Sequence, residues 1–457
     1  MVKGKLLSLF SAILVGVSLS ACSSGGSNEG VAPFDLVTDS LPSFYNKEPV
    51  NLIIISIDTL RRDALARYGG VSGSAAYLSQ LFDEGYALDQ HTSCSNWTMQ
   101  SMLCLQTGAS NLDVGVIPDV SSIYRAAIPD SLTTLPAVLA DAGYYSVLAT
   151  GNSWFSSTWN MDLGFSWSST PIHGNVQKVY KNGLEPLMAA TEKGLTDPFY
   201  LHLHVIEPHA PYDPPGKYLD GLNELEEIDI DLSQKDEQYA KNQKWVTMPV
   251  EEQELYNSHL KVRYAGEVEF LDDQLRSVME DLENRNFLKN TLVVIMSDHG
   301  EAFFEHGEQN HAVSLHREEN DAIALFWAQN IVPGSFDGPT THADIAPTIL
   351  SVLGVEQPKT MTGLTISEVS DDRTRFAITA GKLGVKQSVM DGDHKLIFDW
   401  STGSIEVYDL AADPLEQTDL VSYDTTEAAR LFEILRPEVE RASEIMPYYL
   451  VREPVYE

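Results

Sequence analysis

The chain has 457 residues, of which 43% are hydrophobic and 21% charged, a composition typical of a globular protein with one large domain and a smaller one. Its 66 acidic residues outnumber its 30 basic residues and give a net charge of −36, which argues against nucleic acid as a partner because such binding needs a basic face. The same charge creates a long-range field that repels anionic substrates, although salt screens it.

At the N-terminus, two lysines precede the apolar run Leu6–Leu19, which is typical of an export signal. As a helix, this run would span about 21 Å, less than the roughly 30 Å hydrocarbon core of a membrane. The run leads into L-S-A-C, which ends at Cys22 and resembles a bacterial lipobox; the resemblance implies a signal peptide over 1–21 and a lipid on Cys22. Ser23, rather than Asp, resembles lipoproteins sorted to the outer membrane, so we expect an exported protein that contacts the membrane only through its lipid. The alternative is an ordinary secretory signal with an incidental cysteine.

The first strand of the folded part is predicted at Asn51–Ile57, an apolar run that is followed by Asp58. Thr59–Asp63 then has the sequence of a helix start. Ligands of open α/β sheets bind at the carboxyl ends of the strands, so Asp58 is a candidate metal ligand. The alternative is that Asp58 only caps the following helix.

A second candidate, Thr98, precedes a stretch with helical spacing that ends at Gly108, the expected C-cap. Thr98 would then lie at the N-terminus of this helix, where unpaired N–H groups favour an anion. Close to a cation, a hydroxyl at this position can ionise and act as a nucleophile. The alternative is that Thr98 is only an N-cap.

Apart from Cys22, the chain has two cysteines, Cys94 and Cys104. In an exported protein they could form one disulfide, and two free, buried thiols are equally compatible with the sequence. The sequence leaves both interpretations open.

The short apolar run Leu292–Met296 predicts a strand that is buried on both faces. Asp298 and His299 follow its carboxyl end, and Gly300 lets the backbone turn. A carboxylate and an imidazole side by side at this position suggest a divalent metal. The alternative is a loop Asp that caps a helix beside a surface His.

Six stretches of the chain, in this order, resemble the sulfatase family of the alkaline-phosphatase-like superfamily. They are Asn51–Gly69, Trp97–Gly108, Pro198–Pro215, Val268–Glu301, Thr341–Leu353 and Lys395–Leu420. The resemblance implies an α/β fold with a large, mostly parallel central sheet flanked by helices, and a smaller C-terminal α+β subdomain.

The expected domain organisation follows from the same stretches. We expect a flexible tether over 22–48, a catalytic domain over 49–358 and the C-terminal subdomain over 359–450. An acidic stretch at about 216–256 is expected to be an insertion, either a lid over the site or, as we prefer, a solvated loop.

The resemblance also implies the residues of the site. The ligands of one divalent ion would be Asp58, Thr98, Asp298 and His299. Thr98 stands at the nucleophile position, and His209, in E-P-H-A-P-Y, matches a histidine that contacts substrate and could protonate a leaving group. His311 and Asn152 are weaker candidates for substrate contacts. Oxygen ligands with one imidazole allow Zn, Mn, Mg or Ca, and the imidazole favours Zn or Mn.

Departures from the family pattern keep the activity open. Gln100 and Met102 replace the Pro and Arg of the sulfatase signature Cys-x-Pro-x-Arg, so the chain lacks the element that directs formylglycine formation. Thr150–Phe155 lacks the Lys and His that such sulfatases usually have after the third strand. Three hypotheses remain: a hydrolase or transferase of small or masked phosphate mono- or diesters that uses Thr98, a sulfuric ester hydrolase without formylglycine, and a non-catalytic, surface-tethered binding protein.

Four other histidines receive no catalytic role. His306 and His342 are expected to be orienting or structural. His202 and His204 alternate along a predicted strand, and only one face of that strand can point toward the site. We therefore assign them no function.

Overall fold

The computed structural model describes most of the chain after residue 40. The described residues are 41–45, 47–70, 75–119, 127–172, 174–195, 198–381 and 383–456. The predicted signal peptide, the lipid site at Cys22 and most of the predicted tether therefore lie outside the described residues. Among the helices of the described part, none is both long enough and apolar enough to span a membrane.

A central sheet of eight strands organises the described residues, in the order β10-β2-β9-β6-β1-β5-β3-β4. The strands of the molecule are β1 Asn51–Ile57, β2 Tyr86–Thr92, β3 Tyr145–Thr150, β4 Trp167–Ser168, β5 Phe199–Val205, β6 Thr291–Ser297, β7 Ala302–Phe303, β8 Gln309–Asn310, β9 Ala324–Trp327, β10 Gly334–Thr341, β11 Arg375–Gly381, β12 Gly384–Asp391, β13 His394–Asp399 and β14 Ile405–Asp409. Within the central sheet only β9 runs antiparallel to its neighbours, so the predicted mostly parallel sheet is confirmed.

Helices cover both faces of this sheet. They are α1 Ala76–Glu84, α2 Thr98–Thr107, α3 Leu135–Asp141, α4 Val176–Glu192, α5 Lys235–Asn242, α6 Val250–Asn284, α7 Arg317–Asn320, α8 Ile345–Leu353 and α9 Thr425–Ile445. Alternate side chains of β1 explain the two layers: Ile53 and Ile55 pack with α1, α4 and α6, whereas Leu52 and Ile54 pack with α2, α3 and α8. The strands predicted as buried on both faces are therefore confirmed.

The carboxyl ends of β1 and β6 lie side by side. The two strands pair in parallel with Ile57 opposite Ser297, so the residues that follow them, Asp58 and Asp298, are neighbours. The prediction of a helix beginning at Thr59 is wrong: a turn follows, and then two short 3-10 helices form, at Arg62–Ala64 and Ala66–Tyr68. The physical reason is that Thr59 has a φ of +57°, which a right-handed helix cannot accommodate and which is strained for a β-branched residue.

The C-terminal part forms a second, antiparallel sheet in the order β11-β12-β13-β14. Helix α9 packs on it through a separate apolar core that includes Phe398 and Phe432. This α+β unit confirms the expected smaller subdomain.

The acidic stretch at about 216–256 is more ordered than the solvated loop that we expected. It contains α5 and the first residues of α6, and its acidic side chains are mainly exposed. Trp245 stacks on Phe304 with ring centroids 3.5 Å apart, so one end of the stretch is fixed to the loop that follows β7.

Candidate metal centre and nucleophile

The carboxylate of Asp58 is held on one side only. The backbone N–H of Asp58 donates to the carbonyl of Val205 on β5 at 3.0 Å, which continues the sheet hydrogen bonding past the end of β1. Oδ2 of Asp58 accepts a 2.5 Å hydrogen bond from Nδ2 of Asn152, which follows β3. Oδ1 is buried and accepts no hydrogen bond from any described residue. One oxygen is thus fixed, and the other is available to a cation.

Asp298 and His299 show the same arrangement. Oδ1 of Asp298 accepts from the backbone N–H groups of Thr59 at 3.0 Å and of His299 at 2.7 Å, whereas Oδ2 is buried without a partner among the described residues. Nδ1 of His299 donates to the carbonyl of Gly300 at 2.9 Å, which leaves the buried Nε2 as the nitrogen with a free lone pair.

These three side chains fit a divalent cation. One ligand atom from each of Asp58, Asp298 and His299 lies within 4.8 Å of the others, and all three residues are fully buried. Two adjacent carboxylates without cationic partners are costly in the interior, and a divalent ion would offset that cost. Oxygen and imidazole ligands are compatible with Zn, Mn, Mg or Ca.

The electrostatics of the cluster agree with such a site. Burial would raise the pKa of Asp58, but the imidazole of His209 and other nearby histidines hold it below its usual value. Burial raises the pKa of Asp298. Burial also lowers the pKa of His299, which favours the neutral imidazole that binds metals.

Thr98 lies at the first residue of α2, next to this cluster. Its side chain is buried, and its Oγ1 lies 3.3 Å from Nδ2 of Asn152, the same nitrogen that holds Asp58. In the same helix, Oγ of Ser101 donates to the carbonyl of Asp298 at 2.8 Å and ties the first turn to the cluster. Gly108 ends the helix, as predicted, with a φ of +55°. The structure thus brings Thr98 together with the three other predicted ligands, Asp58, Asp298 and His299.

His209 and His311 lie beside the cluster. The ring centroid of His311 is 4.6 Å from that of His299 and 5.0 Å from that of His209. Nδ1 of His209 donates to the carbonyl oxygen of Ala210 at 2.6 Å.

The sequence did not reveal Glu301, which sets the charge of His311. Oε1 of this buried carboxylate lies 3.0 Å from Nδ1 of His311. Burial alone would lower the pKa of His311, but Glu301 raises it to about 9, so the ring is an imidazolium at neutral pH.

Two histidines that were expected to be orienting or structural have such contacts. Nε2 of His342 donates to the carbonyl of Asp298 at 2.9 Å. His306 is stacked on His316 with centroids 3.7 Å apart and contacts Glu318 at 2.7 Å, away from the cluster. His204 was given no function, yet its Nε2 lies 3.5 Å from Oδ2 of Asp58.

The two cysteines are free and buried. Burial and the neighbouring thiol of Cys94 raise the pKa of Cys104, so Cys104 is a poor nucleophile. Of the two interpretations left open by the sequence, the structure has the two free thiols.

Together, the sheet and the ligand cluster define an α/β protein with a candidate metal centre at the carboxyl edge of its parallel strands. A family model described as Sulfatase matches residues 50–355, which is well over half of the chain. The chain belongs to the sulfatase family.

Individual relatives agree with this assignment. The chain is 24% identical to the sulfatase YidJ of Escherichia coli over 426 residues, which cover 81% of this chain and 83% of the relative. A solved protein in complex with its substrate D-glucosamine-2-N,6-O-disulfate has a TM-score of 0.68 at 17% identity, covering 87% of this chain and 99% of that chain. The phosphonate monoester hydrolase of Silicibacter pomeroyi has a TM-score of 0.64 at 16% identity, covering 86% and 95% respectively. At these identities the solved structures establish the fold.

Proposed function

We propose that this sulfatase-family hydrolase cleaves phosphate esters, by hydrolysis or transfer, with Thr98 as the nucleophile. The observation that carries the proposal is the position of Asn152, whose amide contacts both the Asp58 carboxylate and the Thr98 hydroxyl. A hydroxyl at a helix N-terminus, buried beside unpaired ligand atoms, is arranged for activation by a metal.

Each side chain of the site has a separate role in the proposed reaction. Asp58, Asp298 and His299 would hold a divalent ion with Thr98 as a further ligand; when bound, the ion would lower the pKa of the hydroxyl and polarise the ester. Oγ1 of Thr98, having lost its proton to solvent, forms a bond to phosphorus as the bond from phosphorus to the leaving oxygen breaks. His209 gives the departing alcohol a proton from Nε2. Water or a second alcohol then attacks the phosphorus of the Thr98 ester and gives its proton to Nε2 of His209. The bond from phosphorus to Oγ1 breaks, and Oγ1 takes a proton from solvent, which restores the hydroxyl.

The charge of the site favours an ester with a single negative charge. The imidazolium of His311 is balanced by Glu301, and among the described residues no Lys or Arg side chain forms an ion pair with Asp58 or Asp298. A phosphate monoester brings two negative charges, whereas a phosphodiester brings one. We therefore place the diester first among phosphate esters, and the acidic chain favours small or masked ones.

A sulfuric ester is the second candidate, because it also carries one charge and the family match favours it. Such a sulfatase would act without formylglycine, since Thr98 stands at the nucleophile position. A non-catalytic binding protein is less well supported, because it gives no reason for three buried ligand atoms without partners among the described residues. For the location, we propose an exported lipoprotein that Cys22 anchors to the outer membrane.

The test uses protein that lacks residues 1–22, with Zn, Mn and Ca added in turn. We would compare an aryl phosphodiester, an aryl phosphate monoester and an aryl sulfate. Thr98→Ala should abolish turnover, and Thr107→Ala should retain it, because Thr107 is buried in the same helix but bonds only backbone carbonyls at its other end. Aryl sulfate turned over faster than either phosphate ester would reject the phosphate proposal.

A further inference from the structure

A row of buried polar side chains leads from the metal cluster into the core. Tyr200, His202 and His204 lie on β5 and Ser56 on β1, and all four are at most 1% exposed. Oη of Tyr200 lies 3.0 Å from Nδ1 of His202, and Nε2 of His202 lies 2.9 Å from Oγ of Ser56. The same Oγ lies 2.8 Å from Nδ1 of His204, whose Nε2 lies 3.5 Å from Oδ2 of Asp58.

The sequence and the strand register explain how this row forms. His202 and His204 are two residues apart on β5, so they point to the same face of the sheet. The parallel pairing of β1 with β5 places Ser56 opposite His204. Ser56 interrupts the apolar run of β1, where a hydroxyl has no role in packing. The ring of Phe155 covers both imidazoles, with centroids 5.1 and 5.3 Å away.

The hydrogen bonds of the row can all run in one direction. A carboxylate only accepts, so Nε2 of His204 carries the proton that faces Asp58, and Nδ1 accepts from the hydroxyl of Ser56. Ser56 in turn accepts from Nε2–H of His202, whose Nδ1 accepts from Tyr200. Each group of the row then donates once toward Asp58. The last contact, between Nε2 of His204 and Oδ2 of Asp58 at 3.5 Å, is electrostatic and does not have the geometry of a hydrogen bond.

We infer that this row, Tyr200–His202–Ser56–His204, positions Asp58 so that it presents Oδ1 to the metal. Asn152 and His204 both contact Oδ2, while Oδ1 has no partner among the described residues. The hydrogen bond from Asn152 fixes Oδ2, and the N–H of His204 attracts the same oxygen from a second direction, which opposes rotation of the carboxylate and directs Oδ1 at the ion. The inference rests on the metal centre of the proposed function, and it makes Ser56 and His204 positioning residues.

A purely structural role would have a different signature. Loss of a buried hydrogen bond lowers the stability of any protein, whether or not the bond lies near a site. Groups that orient metal ligands also change metal affinity, typically by about 10- to 100-fold. The metal dissociation constant therefore separates the two roles, and it does not depend on knowing the substrate.

The experiment measures the dissociation constants of Zn, Mn, Mg and Ca by competition with a chelator, together with thermal unfolding of each full-length variant. Ser56→Ala removes the central hydroxyl and should weaken metal binding by about 10-fold or more. The matched control is Ser146→Ala, because Ser146 is a fully buried serine on β3 that bonds only Ser166. The control should lose stability and keep its metal affinity.

A pair of substitutions at His204 tests the direction in which the hydrogen bonds of the row run. In His204→Gln, the side-chain amide reaches the place of Nε2 and still donates to Asp58. In His204→Asn, the amide replaces only Nδ1 and stops short of the carboxylate. We expect His204→Gln to retain more metal affinity than His204→Asn, and this pair carries the test if Ser56→Ala does not fold.

The outcomes are distinguishable. Metal affinities of Ser56→Ala and His204→Asn equal to that of the control would overturn the positioning role and leave the metal centre intact. A wild-type protein that binds none of Zn, Mn, Mg and Ca would overturn the metal centre, and with it this inference.

Discussion

The pair of Glu301 and His311 gives the sharpest test of the electrostatics of the site. Glu301 is fully buried, and its Oε1 lies 3.0 Å from Nδ1 of His311. We predict that Glu301→Gln converts His311 from an imidazolium to a neutral ring near pH 8. The substitution keeps the size of the side chain and removes only its charge.

The size of the effect follows from the pKa of His311. Glu301, with smaller contributions from Asp58 and Asp298, raises this pKa to about 9, against an ordinary value near 6.5, and the difference corresponds to about 3 kcal/mol for these carboxylates together. Without the carboxylate, burial lowers the pKa again, so the protonated fraction at pH 8 should fall from about nine-tenths to below about one-tenth. Because the folded pKa is raised, the pair stabilises the fold fully below about pH 6.5, and this contribution is lost as the pH rises through about 9.

The assay is a titration of the His311 ring by NMR, combined with the pH profile of kcat/KM for the preferred ester. In the variant the pKa should fall by about two units, and turnover at pH 8 should fall about tenfold if the imidazolium binds substrate. Glu308→Gln is the control, since Glu308 is an exposed carboxylate of the same loop. An unchanged pKa for His311 in Glu301→Gln would refute the reasoning.

Three further predictions concern other parts of the molecule. Burial lowers the pKa of His306, but contact with Glu318 raises it to about 9, so the wild-type protein should lose unfolding free energy between pH 7 and pH 9. Glu318→Gln should remove this loss, and denaturant unfolding at both pH values checks it. Thr98→Ala should lower kcat about 10³-fold or more while the protein still binds metal, as activity assays and metal analysis would show. In the wild-type protein the buried carboxylate of Glu416 lies 2.8 Å from Nζ of Lys395. Lys395→Met should destabilise the fold by about 3–5 kcal/mol, because it leaves this carboxylate buried without its cation. A denaturant-unfolding midpoint within error of wild type would contradict this prediction.

The strands and the acidic ligands could be predicted from the sequence for a local reason. Asn51–Ile57 and Leu292–Met296 are apolar runs, and a run buried on both faces must be a strand of a covered sheet. Asp58 and Asp298 each follow such a run, and carboxyl ends of parallel strands meet at one edge. The helix predicted after Asp58 failed because the backbone of Thr59 turns to donate to Asp298, a partner that is far away in sequence.

Other residues of the site have no local signal. Asn152 was a weak candidate for a substrate contact, and its bridge between Asp58 and Thr98 depends on the order in which β3, β5 and β1 pair. Nothing in the sequence near Glu301 indicates that its carboxylate would meet His311 rather than solvent.

The sequence by itself thus determined the elements and the residue types that can hold a metal, because hydrophobic periodicity and the chemistry of strand ends are local properties. Only the tertiary structure decided which atoms of those residues are held and which are left without partners. Ser56 and His204 illustrate the difference: they are 148 residues apart, and their hydrogen bond exists because β1 and β5 pair in one register. A shift of β5 by one residue against β1 would turn His204 to the other face of the sheet, away from Ser56, and separate the row from Asp58.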